Sequence, residues 1–233
     1  MRAALTTLAL ATLAILAFAG NSLIARAALA DGAIEAGAFS ALRLASGALI
    51  LLPVLGRRPA LSDAPGAVAL AVYVAGFSLA YLSLGAGIGA LILFACVQAT
   101  ILIVGLARGE RLTRIGWCGL GLAFGGLVLL LAPSPGTGGE AVPLFPAALM
   151  AIAGITWGVY TLIGRGSSDA TGQTARNFLI AALLVAPMLA LDSAAPRWDG
   201  ALLAVLSGTV TSALGYVVWY MVTPRLGLAS VAS

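Results

Sequence analysis

The chain contains no histidine and no lysine, and only 9% of its 233 residues are charged. An enzyme needs a positioned acid, base or nucleophile, yet none of the eight acidic residues lies in the middle of an apolar run. The Gly-Lys-Ser/Thr sequence of a phosphate-binding loop is also missing, and such a loop is needed to hold ATP in the commonest ATPases. These absences count against enzymatic catalysis and against ATP hydrolysis.

The chain has only two cysteines, Cys96 and Cys118, and both lie in apolar runs. They form neither a close metal-binding pair nor a disulfide framework. We therefore interpret each as a small packing residue and predict no metal and no other cofactor. The net charge is +4, but no basic stripe with interleaved aromatic residues exists, which counts against nucleic-acid binding.

Apolar residues dominate what remains. Hydrophobic residues make up 61% of the chain, and the mean hydropathy is +1.10. A soluble domain carries about a quarter charged residues, and one of this size cannot bury so much apolar surface. The runs also lack the alternation of a transmembrane barrel. The predicted fold is an all-α, polytopic membrane bundle whose solvent is the lipid bilayer.

Eight apolar runs have the length of a membrane-spanning helix, which needs roughly 20 residues at 1.5 Å per residue. The predicted spans cover residues 4–25, 37–55, 66–84, 86–107, 115–132, 144–164, 174–191 and 200–222, and a ninth begins near Leu226.

The distribution of arginine predicts the orientation, because arginine is retained on the cytoplasmic side of short loops. With the N-terminus inside, nine arginines face the cytoplasm and two, Arg26 and Arg197, face the other side, while Arg43 lies within a span. Five of the eight acidic residues fall on the outer side. We therefore predict a multi-pass protein of the inner (plasma) membrane with a cytoplasmic N-terminus.

The two halves of the chain match at an offset of 139 residues, which places Arg26 on Arg165 and Tyr81 on Tyr220. Because each unit has five helices, an odd number, the two copies must have opposite orientations. Inverted repeats can open a central site alternately to the two sides of the membrane. The predicted units are a first repeat at 1–132, an extracytoplasmic linker at 133–143 and a second repeat at 144–233.

Three stretches of the chain carry a resemblance to a known family: GERLTRIGWCGLGLAFGGLVLLL, AGITWGVYTLIGR and FSALRLASGALILLP. They resemble, in that order, the Gly-Glu-Arg turn and Gly-rich fifth helix, the Trp-bearing start of the second repeat and the Arg-bearing second helix of EamA-type members of the drug/metabolite transporter (DMT) superfamily. The resemblance covers the whole chain. It implies ten helices, two cytoplasmic termini and movement of small metabolites or drugs, often outward.

The chain departs from the family pattern in two ways. Phe18 and Ala19 stand where many relatives have a Trp-Gly pair, and the fourth helix reads CVQAT where many have a proline. The offset of 139 also places Ser233 on Phe94. We therefore expect the second repeat to be truncated within its fourth helix.

Polar and aromatic side chains within the spans are the candidates for a solute-binding cavity, because polar groups are costly in lipid. Trp157 and Tyr160 share one helix face, as do Tyr216 and Trp219, and such faces can stack on an organic solute. The candidate cavity residues are Asn21, Arg43, Tyr81, Gln98, Thr100, Trp157, Tyr160, Tyr216 and Trp219.

Structural roles are open for several of these positions. Tyrosine and tryptophan near span ends are typical of the membrane interface, which is the alternative for Tyr220, Trp157 and Tyr160. Gln98 either lines a cavity near the midplane or forms a hydrogen bond between helices. Arg43 lies about 10 Å into its span and either binds an anionic group or extends outward to the membrane surface.

These features predict a secondary transporter that works by alternating access, with the lipid bilayer and a small-molecule solute as its partners. The alternatives are an intramembrane lipid-modifying enzyme and a non-transporting assembly subunit. Amino acids, purines and cationic drugs all suit an uncharged, aromatic, partly amide-lined cavity. Because no carboxylate lies mid-span, facilitated diffusion or exchange fits as well as proton antiport, and no sequence feature indicates an oligomer.

Overall fold

The computed structural model describes residues 2–109, 117–119, 121–122, 125–126 and 142–222. Within these ranges every regular element is a helix. Seven helical segments are long and apolar enough to cross a membrane, so the prediction of a membrane-embedded, all-α bundle is confirmed for this part of the chain. The α-helices are α1 (Arg2–Ala30), α2 (Ala36–Leu51), α3 (Ala64–Tyr81), α4 (Ala86–Ala107), α5 (Leu144–Arg165), α6 (Ala170–Val185), α7 (Trp198–Leu206) and α8 (Gly215–Val222).

A π-helical segment, Ser207–Leu214, joins α7 to α8. These three elements form one span, Trp198–Val222. Three short 3-10 helices complete the described secondary structure: Leu52–Val54, Leu61–Asp63 and Ala186–Leu191.

The observed helices agree closely with the predicted spans. The prediction for residues 86–107 coincides with α4, and that for 144–164 ends one residue before α5 does. Helix α1 continues to Ala30 and so includes Arg26, whose guanidinium donates at 2.9 Å to the carbonyl of Tyr81. Most of the predicted span at 115–132, and the ninth beginning near Leu226, lie outside the described residues.

Helices α2 and α6 end in the same way. Each is followed by a 3-10 helix that has a proline at its beginning, Pro53 after α2 and Pro187 after α6. Proline lacks an N–H and its ring crowds the preceding turn, so an α-helix ends where it occurs. The predicted spans at 37–55 and 174–191 therefore include these 3-10 turns.

The two halves of the chain meet through paired contacts. Helix α1 packs along the span Trp198–Val222, and α3 packs along α5. Helix α2 packs against both α6 and the π-helical segment, while α3 packs against α6. These contacts form equivalent pairs if α1, α2 and α3 are matched with α5, α6 and the last span. The contact of α1 with the last span then corresponds to that of α5 with α3, and the contact of α2 with the π-helical segment corresponds to that of α6 with α3.

Glycines bring α5 close to α4. A Cβ at Gly158 would lie 2.8 Å from the Cβ of Thr100, and a Cβ at Gly154 would lie 2.6 Å from the Cβ of Cys96. Glycines four residues apart lie on one helix face and let two helix backbones approach. Cys96 thus has the packing role that we predicted for it.

Candidate functional site

A polar cluster lies at the centre of the bundle, where α2, α3 and the π-helical segment meet. Nε of Arg43 donates to Oγ of Ser212 at 3.0 Å, and Nη2 donates to the phenol oxygen of Tyr73 at 2.8 Å. Cζ of Arg43 lies 5.1 Å from the ring centroid of Tyr73 and 4.9 Å from that of Phe77. Arg43 is only 1% exposed, so its side chain stays inside the protein and does not extend to the membrane surface.

The guanidinium of Arg43 has only neutral partners among the described residues. None of the ion pairs found there involves Arg43, and its Nη1 is buried without a hydrogen-bond partner. Arginine stays protonated in proteins, and a buried charge without a counter-ion is costly. The described core therefore carries an uncompensated positive charge.

The π-helical segment supplies hydroxyl groups to this cluster. Its sequence, SGTVTSAL, has four hydroxyl-bearing residues, and α2 lies directly against it. The close approach depends on Gly208, because a Cβ there would collide with the carbonyl oxygen of Arg43 and the hydroxyl of Ser46. π-Helical turns occur frequently at functional sites, and this one lies at the middle of its span.

Asn21 ties α1 to the same segment. Its Oδ1 accepts hydrogen bonds from Oγ of Ser207 at 2.6 Å and from Oγ1 of Thr211 at 3.0 Å. Asn21 is 3% exposed. The predicted site residue Asn21 therefore belongs to the central polar region, where its oxygen is already bonded by protein hydroxyls.

Aromatic rings from four helices surround Trp157. The Trp157 ring stacks on Tyr73, with centroids 5.4 Å apart and planes 15° apart, and meets the edge of Phe18 at 4.9 Å. Tyr216 lies 6.3 Å from Trp157 and 5.6 Å from Phe18. Tyr73 links the two parts of the site, because its ring contacts this aromatic cluster while its hydroxyl accepts from Arg43.

Tyr160 and Tyr220 extend the aromatic cluster beyond Tyr216. The Tyr160 ring lies 5.5 Å from that of Tyr216, and its hydroxyl donates to Oγ1 of Thr174 at 3.3 Å. Tyr220 is 6% exposed and its hydroxyl donates to the carbonyl of Tyr160 at 3.4 Å. The structure thus brings Trp157, Tyr160 and Tyr216 together and buries Tyr220 inside the protein, near the end of its span.

Two candidates lie at the margins of the aromatic cluster. The Trp219 ring is partly buried and lies 5.9 Å from Phe18. The Tyr81 ring contacts Phe77 at 4.7 Å, and its hydroxyl donates to the carbonyl of Ala86 at 3.3 Å. Tyr81 therefore stabilises the turn between α3 and α4, which lies at one end of the bundle and not at the centre, where Arg43 lies.

The two candidates on α4 do not contact the polar cluster. Thr100 donates to the carbonyl of Cys96 at 2.7 Å and packs against Gly158, so its hydroxyl is bonded within its own helix. Gln98 is half-buried and follows Phe94 by one helical turn on the same face. The Phe94 ring lies 5.7 Å from that of Trp157, which places Gln98 one turn beyond the aromatic cluster.

An ion-pair network centred on the buried side chains of Asp63 and Arg176 connects the two halves beyond the C-terminal end of α2. Asp63, which is 1% exposed, accepts from Nε of Arg176 at 3.1 Å and from Arg57 at 2.9 Å. Nη1 of Arg176 donates to the carbonyl of Leu55 at 2.8 Å and to Asp169 at 3.2 Å. Asp63 comes from the first half of the chain and Arg176 from the second, so an ion pair connects the two halves at this end.

At the N-terminal end of α2 the halves are connected by carboxylates bonded to backbone amides. Asp192 accepts from the amides of Gly37 and Ala38, in the first turn of α2, at 3.1 and 2.6 Å, where the helix dipole favours negative charge. Glu35 accepts from the backbone amide and hydroxyl of Ser193 and from the amide of Ala194. These hydrogen bonds, that of the Ser193 amide foremost, hold the pKa of Glu35 below its ordinary value of 4.5.

The sequence analysis did not single out Tyr73 or Ser212. Tyr73, Phe77 and Tyr81 are spaced four residues apart in α3, and this spacing on one helix face could have identified Tyr73. Ser212 lies in a run rich in small and hydroxyl residues whose helical phase is changed by the π-helical turn. No periodic signal therefore indicated which hydroxyl would face Arg43.

The described residues contain no group of three or more His, Cys, Asp or Glu side chains placed to hold a metal ion. The chemistry that the central site offers is hydrogen bonding, positive charge and aromatic stacking. These are the means of binding an organic molecule by its polar group and its apolar body.

No protein-family model matches the chain. The chain is 50% identical to the uncharacterized protein PA1977 of Pseudomonas aeruginosa, over an alignment that covers 97% of this chain and 80% of that protein. A solved structure, described only as a crystal structure of a protein, matches 96% of this chain and 82% of its own with a TM-score of 0.71 at 21% identity. At this identity, the second similarity concerns the fold alone.

Proposed function

The chain belongs to the same family as protein PA1977 of Pseudomonas aeruginosa, and from its central site we propose that it is a secondary transporter of small organic solutes. The observation that carries the proposal is the buried charge of Arg43, held near the middle of its span between helices of both halves. Ionisable residues in such positions mark the pathways of solutes and ions in membrane proteins. The proposal includes export across the inner (plasma) membrane without ATP, as the resemblance to EamA-type transporters of the DMT superfamily implies.

Two inverted five-helix repeats are part of this proposal. The exchange symmetry of the helix contacts supports it, since α1 meets the last span as α5 meets α3. Glycines at equivalent positions also support it. A Cβ at Gly76 would lie 3.5 Å from Ala153, and 139 residues later a Cβ at Gly215 would lie 3.5 Å from Ala17.

Transport by these repeats requires that the two ends of the bundle open in turn. At one end, Asp63 and Arg176 join the halves through an ion pair. At the other end, Asp192 and Glu35 join them through backbone amides. The aromatic cluster lies between these two sets of contacts, and its rings must separate for a solute to reach Arg43.

Flux measurements on the purified chain in proteoliposomes test the proposal. The solutes are a panel of labelled anionic, neutral and cationic organic molecules, and liposomes without protein give the background. Trp157→Ala should lower the flux of a transported solute by about tenfold or more, because it removes the stacking surface at the centre. The matched control is Trp198→Ala, since Trp198 is 79% exposed. Folded protein that moves no solute of the panel would contradict the proposal.

The proposed orientation has a separate test. After replacement of Cys96 and Cys118, a single cysteine is introduced at Ser62→Cys, beside the ion-pair network, or at Ala195→Cys, beyond α6. A membrane-impermeant maleimide added to intact spheroplasts should label the cysteine at position 195 and spare the one at 62. The reverse pattern would show that the N-terminus faces outward.

A further inference from the structure

The side chain of Arg43 has hydrogen-bonding capacity that the described protein groups do not use. A guanidinium carries five N–H donors in a planar fork. Nε donates to Ser212 and Nη2 donates to Tyr73, whereas Nη1 is buried and has no partner. Because Arg43 is 1% exposed, solvent at the protein surface does not satisfy these donors.

The charge of Arg43 is also unbalanced. Its two acceptors are hydroxyl groups, and the rings of Tyr73 and Phe77 offer only the weak attraction of an aromatic face. A charge in a region of low dielectric attracts an opposite charge strongly. An anion that can accept two parallel hydrogen bonds would match both the charge and the free donors of this guanidinium.

We propose that the transported solute is an organic monocarboxylate, whose carboxylate binds the Nη groups of Arg43 and whose apolar body lies among the rings of Phe18, Trp157 and Tyr216. This inference rests on the proposed transport function and names its substrate class. A carboxylate matches the guanidinium fork in two parallel hydrogen bonds. Tyr73 bonds Arg43 and stacks on Trp157, so a carboxylate at Arg43 has aromatic surface beside it.

The same geometry disfavours the other solutes that suit an uncharged cavity. A cationic drug would lie beside a like charge with no carboxylate of the described core to offset it. A neutral amide of the same shape would bind Arg43 through a neutral acceptor, which gives a weaker hydrogen bond than a carboxylate. Charge at one end of the solute is therefore the property that this site selects.

Binding to the purified full chain in detergent tests the inference. The probes are two acid and amide pairs of matched shape, 3-phenylpropionate with 3-phenylpropanamide and hexanoate with hexanamide, measured by titration calorimetry. Each acid should bind at least about tenfold more tightly than its amide, because the ionised acceptor makes the stronger bonds. Arg43→Gln should reduce this ratio to about one, and Arg43→Lys should restore part of it because it keeps the charge without the fork.

Arg26→Gln is the control variant, since Arg26 bonds backbone carbonyls at the end of α3, and it should leave the ratio unchanged. The wild-type comparison of acid and amide needs no variant, so it decides the question even when Arg43→Gln fails to fold. Equal affinity of acid and amide, or no binding of either acid, would overturn the inference.

Flux and binding together separate this inference from the proposed function. Transport of neutral or cationic solutes with no preference for acids would overturn the inference about the substrate class but would agree with the proposed transport function. Acid-selective binding that depends on Arg43, with no flux of any solute, would support a carboxylate-binding site at Arg43 but would contradict the proposed transport function.

Discussion

Two buried arginines lie at similar distances from the start of their helices, one in each half of the chain. Arg43 lies seven residues after the start of α2, and Arg176 lies six residues after the start of α6. Arg176 bonds the carboxylates of Asp63 and Asp169, whereas Arg43 bonds two hydroxyls. Burial and residue type are the same, so the partners decide the role. Arg176 is neutralised in an ion pair that joins the two halves at one end of the bundle, whereas the charge of Arg43 has no counter-ion among the described residues.

The largest effect is expected from breaking the compensated arginine. Asp63→Ala leaves Arg176 buried without its main counter-ion and should lower the free energy of unfolding by about 3–5 kcal/mol. Asp169→Ala is the matched control, because the Asp169 side chain is 58% exposed, and an exposed partner contributes about 1 kcal/mol or less. Denaturant unfolding of the purified variants measures both. Equal decreases in the free energy of unfolding from the two substitutions would show that the buried ion pair contributes no more stability than the exposed one.

A second substitution would give Arg43 a carboxylate partner of the kind that Arg176 has. Ser212→Asp places a carboxylate beside Nε, which Ser212 contacts at 3.0 Å, and this fixed anion competes with a bound one. Binding of 3-phenylpropionate should weaken by about tenfold or more, roughly 1.4 kcal/mol. Ser212→Asn, with the same shape and no charge, is the control and should weaken binding much less. Unchanged binding by Ser212→Asp would mean that Arg43 does not contact the acid.

A smaller effect is expected when a neutral partner of Arg43 is removed. Tyr73→Phe deletes the hydroxyl that Nη2 contacts at 2.8 Å but keeps the ring that stacks on Trp157. The loss of this hydrogen bond should cost about 1–3 kcal/mol of stability, because its charged donor is left buried. Tyr81→Phe is the control, since its hydroxyl donates to the carbonyl of Ala86, a neutral acceptor at the start of α4. A shift in melting temperature that is no larger for Tyr73→Phe would count against the central role of this bond.

The smallest effect concerns a carboxylate that is bonded to amides and not to arginine. The pKa of Glu35 is lowered from 4.5 by hydrogen bonds from Ser193. A lowered folded-state pKa gives stability that is present above the unfolded pKa and is lost as the pH falls through the folded value. The melting temperature should therefore decrease slightly as the pH falls below about 4.5. In Glu35→Gln this decrease should be smaller, and an identical pH profile would contradict the assignment.

Hydropathy alone predicted the spans, because lipid requires long apolar helices whatever their partners. The predicted ends agree with the spans at Pro53 and Pro187, where 3-10 turns extend the helices, and they were displaced elsewhere, as in α1, which continues to Ala30 and does not end at residue 25. Helical periodicity also identified the shared face of Trp157 and Tyr160, which the structure places in one cluster. The positions of the spans and the shared faces of single helices could thus be predicted from the sequence.

Contacts between residues that are far apart in the chain could not be predicted from the sequence in the same way. The sequence left two roles open for Arg43, and only its burial and its partners, 30 and 169 residues away, distinguish them. Asp63 and Arg176 were placed on the same side of the membrane by the charge count, but nothing local indicated that they pair. The inverted repeat and the transport function stay predictions.

The pairing of Asp63 with Arg176 sets an order of events during biosynthesis. The two residues are 113 positions apart, so at about 5–20 residues per second Arg176 is made roughly 6–23 s after Asp63. Arg57, only six residues from Asp63 and bonded to it at 2.9 Å, is made before it. A nascent chain can therefore neutralise Asp63 with Arg57 while α3 inserts, and Arg176 joins Arg57 at this carboxylate when α6 arrives.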